Sequence, residues 1–448
     1  MENNQKKLTR REFLGLSALG LASFTILPSW SMNGIRTAPS DRVVLGFIGL
    51  GRQGVSDFNS FKRCPGVQVA ACSDVDTMKN DRFCRLTSEW QKSANISGRC
   101  QTYDFYEDLL SRKDIDAVAI ATPDHWHALN VIHACQAGKD VFCQKPLSYS
   151  ITESIAMVKA VRNNKRVLQV GSQQRSDKEF QKAIAMVRSG AIGHIEKIYS
   201  RVGDPPSPFN LPKVPIPENL NFNLWLGPLS DPNIHYHPDI CPPIAPPDFR
   251  EKGDWGRWRY FKETANGFTA DWGAHMFDIA QAALGMDGSG PVEYIPIGYQ
   301  GTQYSTMKYA NGVVMTEQPF RDDKPEDKGI RFIGTKGWIR VARGFIDCSD
   351  SSLLERSEQV IQEGQYEMST GHMQNFIDCV RSRKNPIAPV EAGASTSILC
   401  SLVNIAHELK RPVRWDPVTQ SFFNDSEAEA HRLYWYKYRK PYTLPYWD

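Results

Sequence analysis

Asp271 and His275 stand four residues apart at the head of a segment whose apolar positions, 276, 279, 280, 283 and 284, recur at helical spacing. If the helix has begun by Asp271, both side chains lie on one face. A carboxylate beside an imidazole orients the ring and raises its basicity. Such a pair suits removal of a proton from a secondary alcohol while hydride leaves its carbon. The same two residues also suit a helix cap and a satisfied core histidine, and this segment alone leaves both readings open.

Hydride needs an acceptor, and the other end of the chain offers a place for one. Residues 43–48 form an apolar run that reads as a buried strand, followed directly by Gly49-Leu50-Gly51-Arg52-Gln53-Gly54. In this GxGxxG spacing Gly49 permits the tight turn, Gly51 lets the backbone approach a pyrophosphate, and Gly54 lets the next helix pack close. The helix start, with Arg52 and Gln53 in it, offers free N–H groups to phosphates. A second apolar run, 67–72, leads to Asp74. A carboxylate there can accept both ribose hydroxyls and would repel a 2′-phosphate, so NAD is favoured over NADP.

The elements that must hold these residues follow in rhythm. Strands at 115–120, 140–143 and 167–170 alternate with helices such as 128–137 and 151–161, which predicts a parallel, doubly wound Rossmann sheet. Ligands of such sheets bind beyond the carboxyl ends of the strands. Three loops occupy those ends: 121–127 with Thr122, Pro123 and His127, 144–146 with Gln144 and Lys145, and 171–175 with Gln173. These residues are the candidate cofactor contacts. His127 is expected to open the next helix near the cofactor. His125 and His127 could also point one way as metal ligands, but no third and fourth ligand come at suitable spacing, so no metal site is predicted.

The second half changes character. Residues 202–260 hold 13 of the 28 prolines, with Trp225, Trp255 and Trp258. So many prolines exclude regular helix or central strand, and the aromatics argue against a disordered linker. The segment reads as an ordered excursion covering the active site. Candidate strands at 307–309, 313–318, 331–334 and 338–341, a hairpin turn at Asn311-Gly312 and helices at 373–383 and 394–409 suggest an α+β domain with an open, mostly antiparallel sheet. The expected boundaries are 41–172 for the nucleotide domain, 173–410 for the α+β domain with its insertion, and 411–448 for a tail packing back on the body.

Composition agrees with an enzyme of two globular domains: 448 residues, 41% hydrophobic, net charge +3. The charge is too balanced for a nucleic-acid partner. The 10 cysteines include no CxxC pair and read as buried free thiols. Residues 1–31 read as an export signal: Arg10-Arg11, then Phe13-Leu14 and an apolar stretch to Leu27, with cleavage after Ser31. Paired arginines before such a run resemble a twin-arginine signal, which predicts a periplasmic protein exported folded; the alternative is an uncleaved anchor, the one membrane contact expected.

Together these motifs resemble the glucose–fructose oxidoreductase, inositol 2-dehydrogenase and rhizopine-catabolism (Gfo/Idh/MocA) family, from about Val43 to the C-terminal helices. The Glu-Lys-Pro signature of that family appears as Gln144-Lys145-Pro146, and its Asp-x-x-x-His helix start as Asp271 to His275. The resemblance implies a Rossmann domain followed by a C-terminal α/β domain often used for oligomer contacts, hence a homo-oligomer, dimer or tetramer. It implies that Lys145 holds the substrate hydroxyl near the nicotinamide, that His275 is the general acid/base, and that Asp271 is its partner or a substrate ligand. Gln144 departs from the pattern, since an amide lends no negative charge to Lys145. The implied activity is NAD-dependent oxidation or reduction of a secondary hydroxyl on a sugar, glycoside or polyol, with the cofactor held tightly. Two alternatives are an NAD-dependent glycosidase acting by transient oxidation, elimination and hydration, and a non-catalytic sugar-binding scaffold.

Overall fold

Six short, apolar strands build the first sheet: β1 (Val43–Ile48), β2 (Val67–Ser73), β3 (Gln101–Tyr103), β4 (Ala117–Ile120), β5 (Asp140–Cys143) and β6 (Leu168–Val170). The structure, a computed structural model, describes residues 42–244, 255–355 and 371–447. The export signal expected in residues 1–31 lies outside the described residues, as do residues 245–254 of the proline-rich insertion.

All strand pairs of the first sheet are parallel, in the order β3-β2-β1-β4-β5-β6. This is the doubly wound dinucleotide-binding order, with the chain reversing direction across the sheet at β1 and β4. Strand side chains alternate between faces. Leu45 and Phe47 point into a cluster with Phe58, Phe61 and Phe83, while Val118 and Ile120 join Leu129, Ile132 and Met157 on the other side. Both faces are therefore covered by helices: α1 (Arg52–Phe61) and α2 (Thr77–Ser93), then α3 (Asp124–Gln136) and α4 (Ile151–Asn163). Burial on two faces explains why these strands read as continuous apolar runs.

The second sheet has nine strands in the order β13-β12-β11-β7-β10-β9-β8-β14-β15. They are β7 (Ile195–Arg201), β8 (Glu293–Ile295), β9 (Thr306–Lys308), β10 (Val314–Thr316), β11 (Gly329–Gly334), β12 (Gly337–Ala342), β13 (Phe345–Cys348), β14 (Val413–Asp416) and β15 (Ser421–Phe422). Every pair is antiparallel except β10 with β7. The Asn311-Gly312 turn joins β9 to β10 as a hairpin, with Gly312 at φ 90°. β7 is absent from the sequence reading although it lies mid-sheet: Ile-Glu-Lys-Ile-Tyr-Ser-Arg keeps no strict apolar alternation, and its burial alternates only from Ile198 on.

Helices α5 (Lys178–Arg188), α6 (Gly267–Asp271), α7 (Gly273–Leu284) and α8 (His372–Ser382) precede a long helix, α9 (Val390–Leu409). α9 packs against both α4 and α7 and is buried on nearly every side, which ties the second half of the chain to the Rossmann half. The insertion forms a small core of Leu220, Phe222, Trp225, Tyr236 and Ile240, closed by Phe261 just after it. The C-terminal tail packs back: the Tyr436 and Tyr438 hydroxyls donate to Glu153 Oε1 at 2.9 and 2.7 Å.

Candidate active site

The glycine loop turns where β1 meets α1. Gly49 has φ 83°, and a Cβ on it would lie 2.6 Å from the Thr122 backbone nitrogen. A Cβ on Gly54 would lie 2.2 Å from the Gly49 carbonyl oxygen, so only glycine lets α1 sit against the strand. Gly51 precedes α1 in extended conformation, and its carbonyl accepts the Val55 N–H at 3.1 Å. The N–H groups of Arg52, Gln53 and Gly54 thus begin the helix without intrahelical acceptors. Asp74 ends β2 beside this loop. Its Oδ2 accepts the Leu50 N–H at 2.6 Å and its Oδ1 accepts the Asp76 N–H at 3.0 Å. Burial pushes its carboxyl up.

Gly49, Gly51, Arg52, Asp74, Thr122 and Pro123 line one cavity of about 700 Å³ at the carboxyl ends of the strands. The Thr122 hydroxyl is buried there without a hydrogen-bond partner. A tight glycine turn, free helix N–H groups and this orphaned hydroxyl together fit a dinucleotide: the glycine loop for its pyrophosphate and Asp74 for its ribose.

His127 lies elsewhere than expected. Its ring is buried behind the loop, with Nδ1 2.8 Å from the Pro146 carbonyl and Nε2 2.9 Å from the Thr122 carbonyl. Burial lowers it to about 4, so a neutral ring satisfies one of the two carbonyls and braces the Thr122 and Lys145 loops against each other. His125 is likewise a brace, its Nε2 2.9 Å from the Trp225 carbonyl. Both imidazoles became fully buried because α3 begins at Asp124, not at His127, and carries them inward.

A second cavity, about 610 Å³, holds Gln144, Lys145, Gln173, Asp271, His275, Asp124, Asp57 and Arg343 on its walls. It shares Gln53, Thr122, Trp255, Trp258 and Arg259 with the first. Lys145 reaches across from the end of β5. Its Nζ donates to Asp271 Oδ1 at 2.6 Å and to the Asp271 carbonyl at 2.8 Å. An ammonium has three N–H donors, so one remains for the cavity. Burial pushes the Asp271 carboxyl up, but Lys145 and Arg259 outweigh it and hold the group below the usual carboxylate range.

Asp271 and His275 do not form the expected pair. Trp272, still in right-handed helical conformation, separates α6 from α7, and the Asp271 carboxylate meets the ammonium of Lys145. A cation outcompetes a neutral imidazole for a carboxylate. His275 therefore loses basicity instead of gaining it: burial first, then Lys145 and Arg343, lower it well below the usual histidine range. Its Nδ1 is buried without a partner. The buried rings of His125, His127 and His372 each have a nitrogen within hydrogen-bond distance of a carbonyl.

Several wall residues carried no sequence signal. Asp124 opens α3 and is almost fully buried, and burial pushes its carboxyl up to about 8. Arg343 lies in the turn between β12 and β13, stacks 4.8 Å from the Trp272 ring and donates to Gln174 Oε1 at 3.1 and 3.2 Å. Arg259 comes from the insertion, 4.7 and 5.0 Å from the Trp258 and Trp255 rings, and its Nε lies 3.7 Å from Asp271. Arg52 of the glycine loop stacks on the same Trp255 ring at 4.9 Å. Only Asp57 had a legible cue, four residues after Gln53 on α1.

Comparison with known proteins places this geometry. Residues 43–172 match the model of an oxidoreductase family with an NAD-binding Rossmann fold, and residues 206–444 match the C-terminal alpha/beta domain of the same family. The oxidoreductase YrbE of Bacillus subtilis is 36% identical over 168 residues, covering 37% of this chain and 46% of that protein. A glycosyl hydrolase family 109 protein of Shewanella pealeana is 31% identical over 206 residues, covering 42% and 44%. The chain thus spans less than half the length of these relatives. Among solved structures, scyllo-inositol dehydrogenase from Lactobacillus casei with bound NAD(H) and scyllo-inositol is similar with a TM-score of 0.52 at 16% identity, covering 83% of this chain and 99% of that one. Aldose-aldose oxidoreductase from Caulobacter crescentus gives 0.53 at 16% identity, over 83% and 99%. At such identities these two likenesses speak for the fold.

Proposed function

The chain belongs to the Gfo/Idh/MocA oxidoreductase family, and from that premise we propose that it moves hydride between NAD and a secondary hydroxyl of a sugar, glycoside or polyol. One observation carries this reading. Lys145, with a free N–H, and the neutral His275 line one cavity that meets the glycine-loop cavity along Gln53 and Thr122. A bound nicotinamide supplies the hydride acceptor for oxidation.

This chain's own groups do the rest. Lys145 donates to the substrate oxygen and stabilises negative charge developing there. Asp271 holds the ammonium in place from its other side. His275, neutral, accepts the hydroxyl proton. Lys145 and Arg343 make the imidazolium costly, so the proton passes on to solvent. The Asp74 carboxylate at the ribose position favours NAD over NADP. Trp255, stacked between Arg52 and Arg259, helps keep the cofactor in place, and export with the cofactor already held, as a dimer or tetramer, belongs to the same reading.

A second reading, a redox-neutral glycosidase, is favoured by Asp124. A carboxyl pushed up to about 8 keeps its proton at neutral pH, and elimination of an aglycone needs such a donor. The test is native mass spectrometry and absorbance at the wavelength of reduced nicotinamide, with sugars and glycosides added to the purified protein. Bound NAD that becomes reduced supports the dehydrogenase. Cleaved glycoside without lasting absorbance supports the glycosidase. Protein that neither carries nor takes up nucleotide overturns both.

A further inference from the structure

Asp57 is a buried acid that the proposed reaction does not use. It sits on α1 with 1% exposure, and none of the hydrogen bonds it receives comes from a cation. Gln144 Nε2 donates to both of its carboxyl oxygens at 2.9 Å, and Gln53 Nε2 donates to Oδ1 at 2.8 Å. The Gln144 amide lies close against Gly171, where a Cβ would come within 2.6 Å of its Oε1, so glycine at 171 is what leaves the amide its place. That same Oε1 accepts the backbone N–H of Lys145 at 3.4 Å. One carboxyl group therefore ties the first turn of α1, through Gln53, to the Lys145 loop, through Gln144.

We propose that Asp57 and Gln144 form a positioning pair that sets the Lys145 ammonium against the nucleotide, and that the acid and the amide of this pair are interchangeable. This rests on the reading of Lys145 as the substrate-facing donor. The geometry gives each half a definite requirement. An amide must face a carboxyl across the 2.9 Å contact. Two amides present donor to donor unless Gln144 flips and abandons Lys145. Two carboxylates must share a proton. Burial pushes the Cys143 thiol on β5 well up and the Asp57 charge adds to it, and Lys145, Asp124, Arg259 and Arg343 line the cavity that the pair borders. Burial pushes Asp57 up to about 7 while its two amide donors pull the other way, so the acid and its conjugate base are both present near neutral pH and the amides favour the charged form.

The experiment compares the parent with Asp57→Asn, Gln144→Glu and the exchanged double variant, all as full-length protein with its nucleotide content measured. Each single change is expected to lower kcat at least tenfold with nucleotide retained and KM within about threefold. The Gln144→Glu loss shrinks as pH is lowered and the two carboxyls share a proton. The exchanged variant returns to within about threefold of the parent. A second readout needs no substrate: acylation of the Lys145 amine, followed by peptide mass spectrometry, changes several-fold in the single variants and returns in the exchange. An exchanged variant no better than the worse single, in kcat or in labelling, overturns the pair. If Asp57→Asn does not fold, a pH-independent Gln144→Glu with parental Lys145 labelling overturns it alone. A parent that oxidises no sugar sinks the functional reading, while the labelling still decides this one.

Discussion

Two ion pairs bridge the loops at the sheet ends to the same helical stretch. Lys145 meets Asp271 at the close of α6, and Arg175, from the loop after β6, meets Asp278 two turns further along α7. Arg175 spends all its donors: on Asp278 at 2.7 and 2.8 Å, on Asp287 at 2.7 and 2.9 Å, and on the Ile387 carbonyl at 3.3 Å. Its side chain and that of Asp278 are 3% and 1% exposed. Lys145 and Asp271 keep 16% and 20%, and both line the cavity. Desolvation marks the contrast. Burial raises the Asp278 carboxyl even though Arg175 grips it, whereas Lys145 and Arg259 hold Asp271 below its ordinary range. A saturated pair fastens two halves of a chain; a pair with a donor left over can act on something else.

That comparison breaks or sharpens in three measurements. The largest effect is expected from Lys145→Met: turnover falls by roughly 10³–10⁴, about 4–5 kcal/mol in the barrier, while the free energy of unfolding moves by less than about 2 kcal/mol because the site is partly open to solvent. A variant with near-parental turnover would dissolve the distinction. Arg175→Met is expected to do the reverse. It strands Asp278 in the core and should cost about 3–5 kcal/mol in denaturant unfolding, with little change in turnover per folded molecule; a loss under about 1 kcal/mol would show that Asp278 simply takes up a proton at no cost.

The smallest effect concerns Arg259→Gln. The Asp271 carboxyl is depressed, so its pairing with Lys145 is fully present above the unfolded carboxyl value and is lost as pH falls through the lower folded one. Removing the second cation moves that folded value up. The acid limb of kcat/KM should therefore shift to higher pH, and an unmoved limb would mean that 3.7 Å is too far for Arg259 to matter.

Much of the first half was legible because its signals are local. Buried parallel strands read as apolar runs, and the glycine spacing reads a tight turn, even though the backbone that excludes a Cβ at Gly49 is that of Ala121 and Thr122. The second half was harder. β7 has no clean alternation, and the partner strands that bury it lie more than 100 residues downstream in the chain. The Asp271–His275 expectation misled for a related reason: both side chains do line one cavity, but spacing cannot foresee that an ammonium from a remote loop takes the carboxylate.

The sequence by itself determined the parallel nucleotide fold, the glycine loop, Asp74 at its strand end, and the residue types Lys145, Asp271 and His275. These follow from backbone sterics and burial periodicity, which act over short distances. Only the tertiary structure decided who pairs with whom. It gave Asp271 to Lys145, left His275 neutral and unpartnered, buried His127 as a brace, and set Asp57 under Gln144. Each of those outcomes is a competition among charges and donors brought together from remote segments, and it is settled by distance and desolvation in the folded chain.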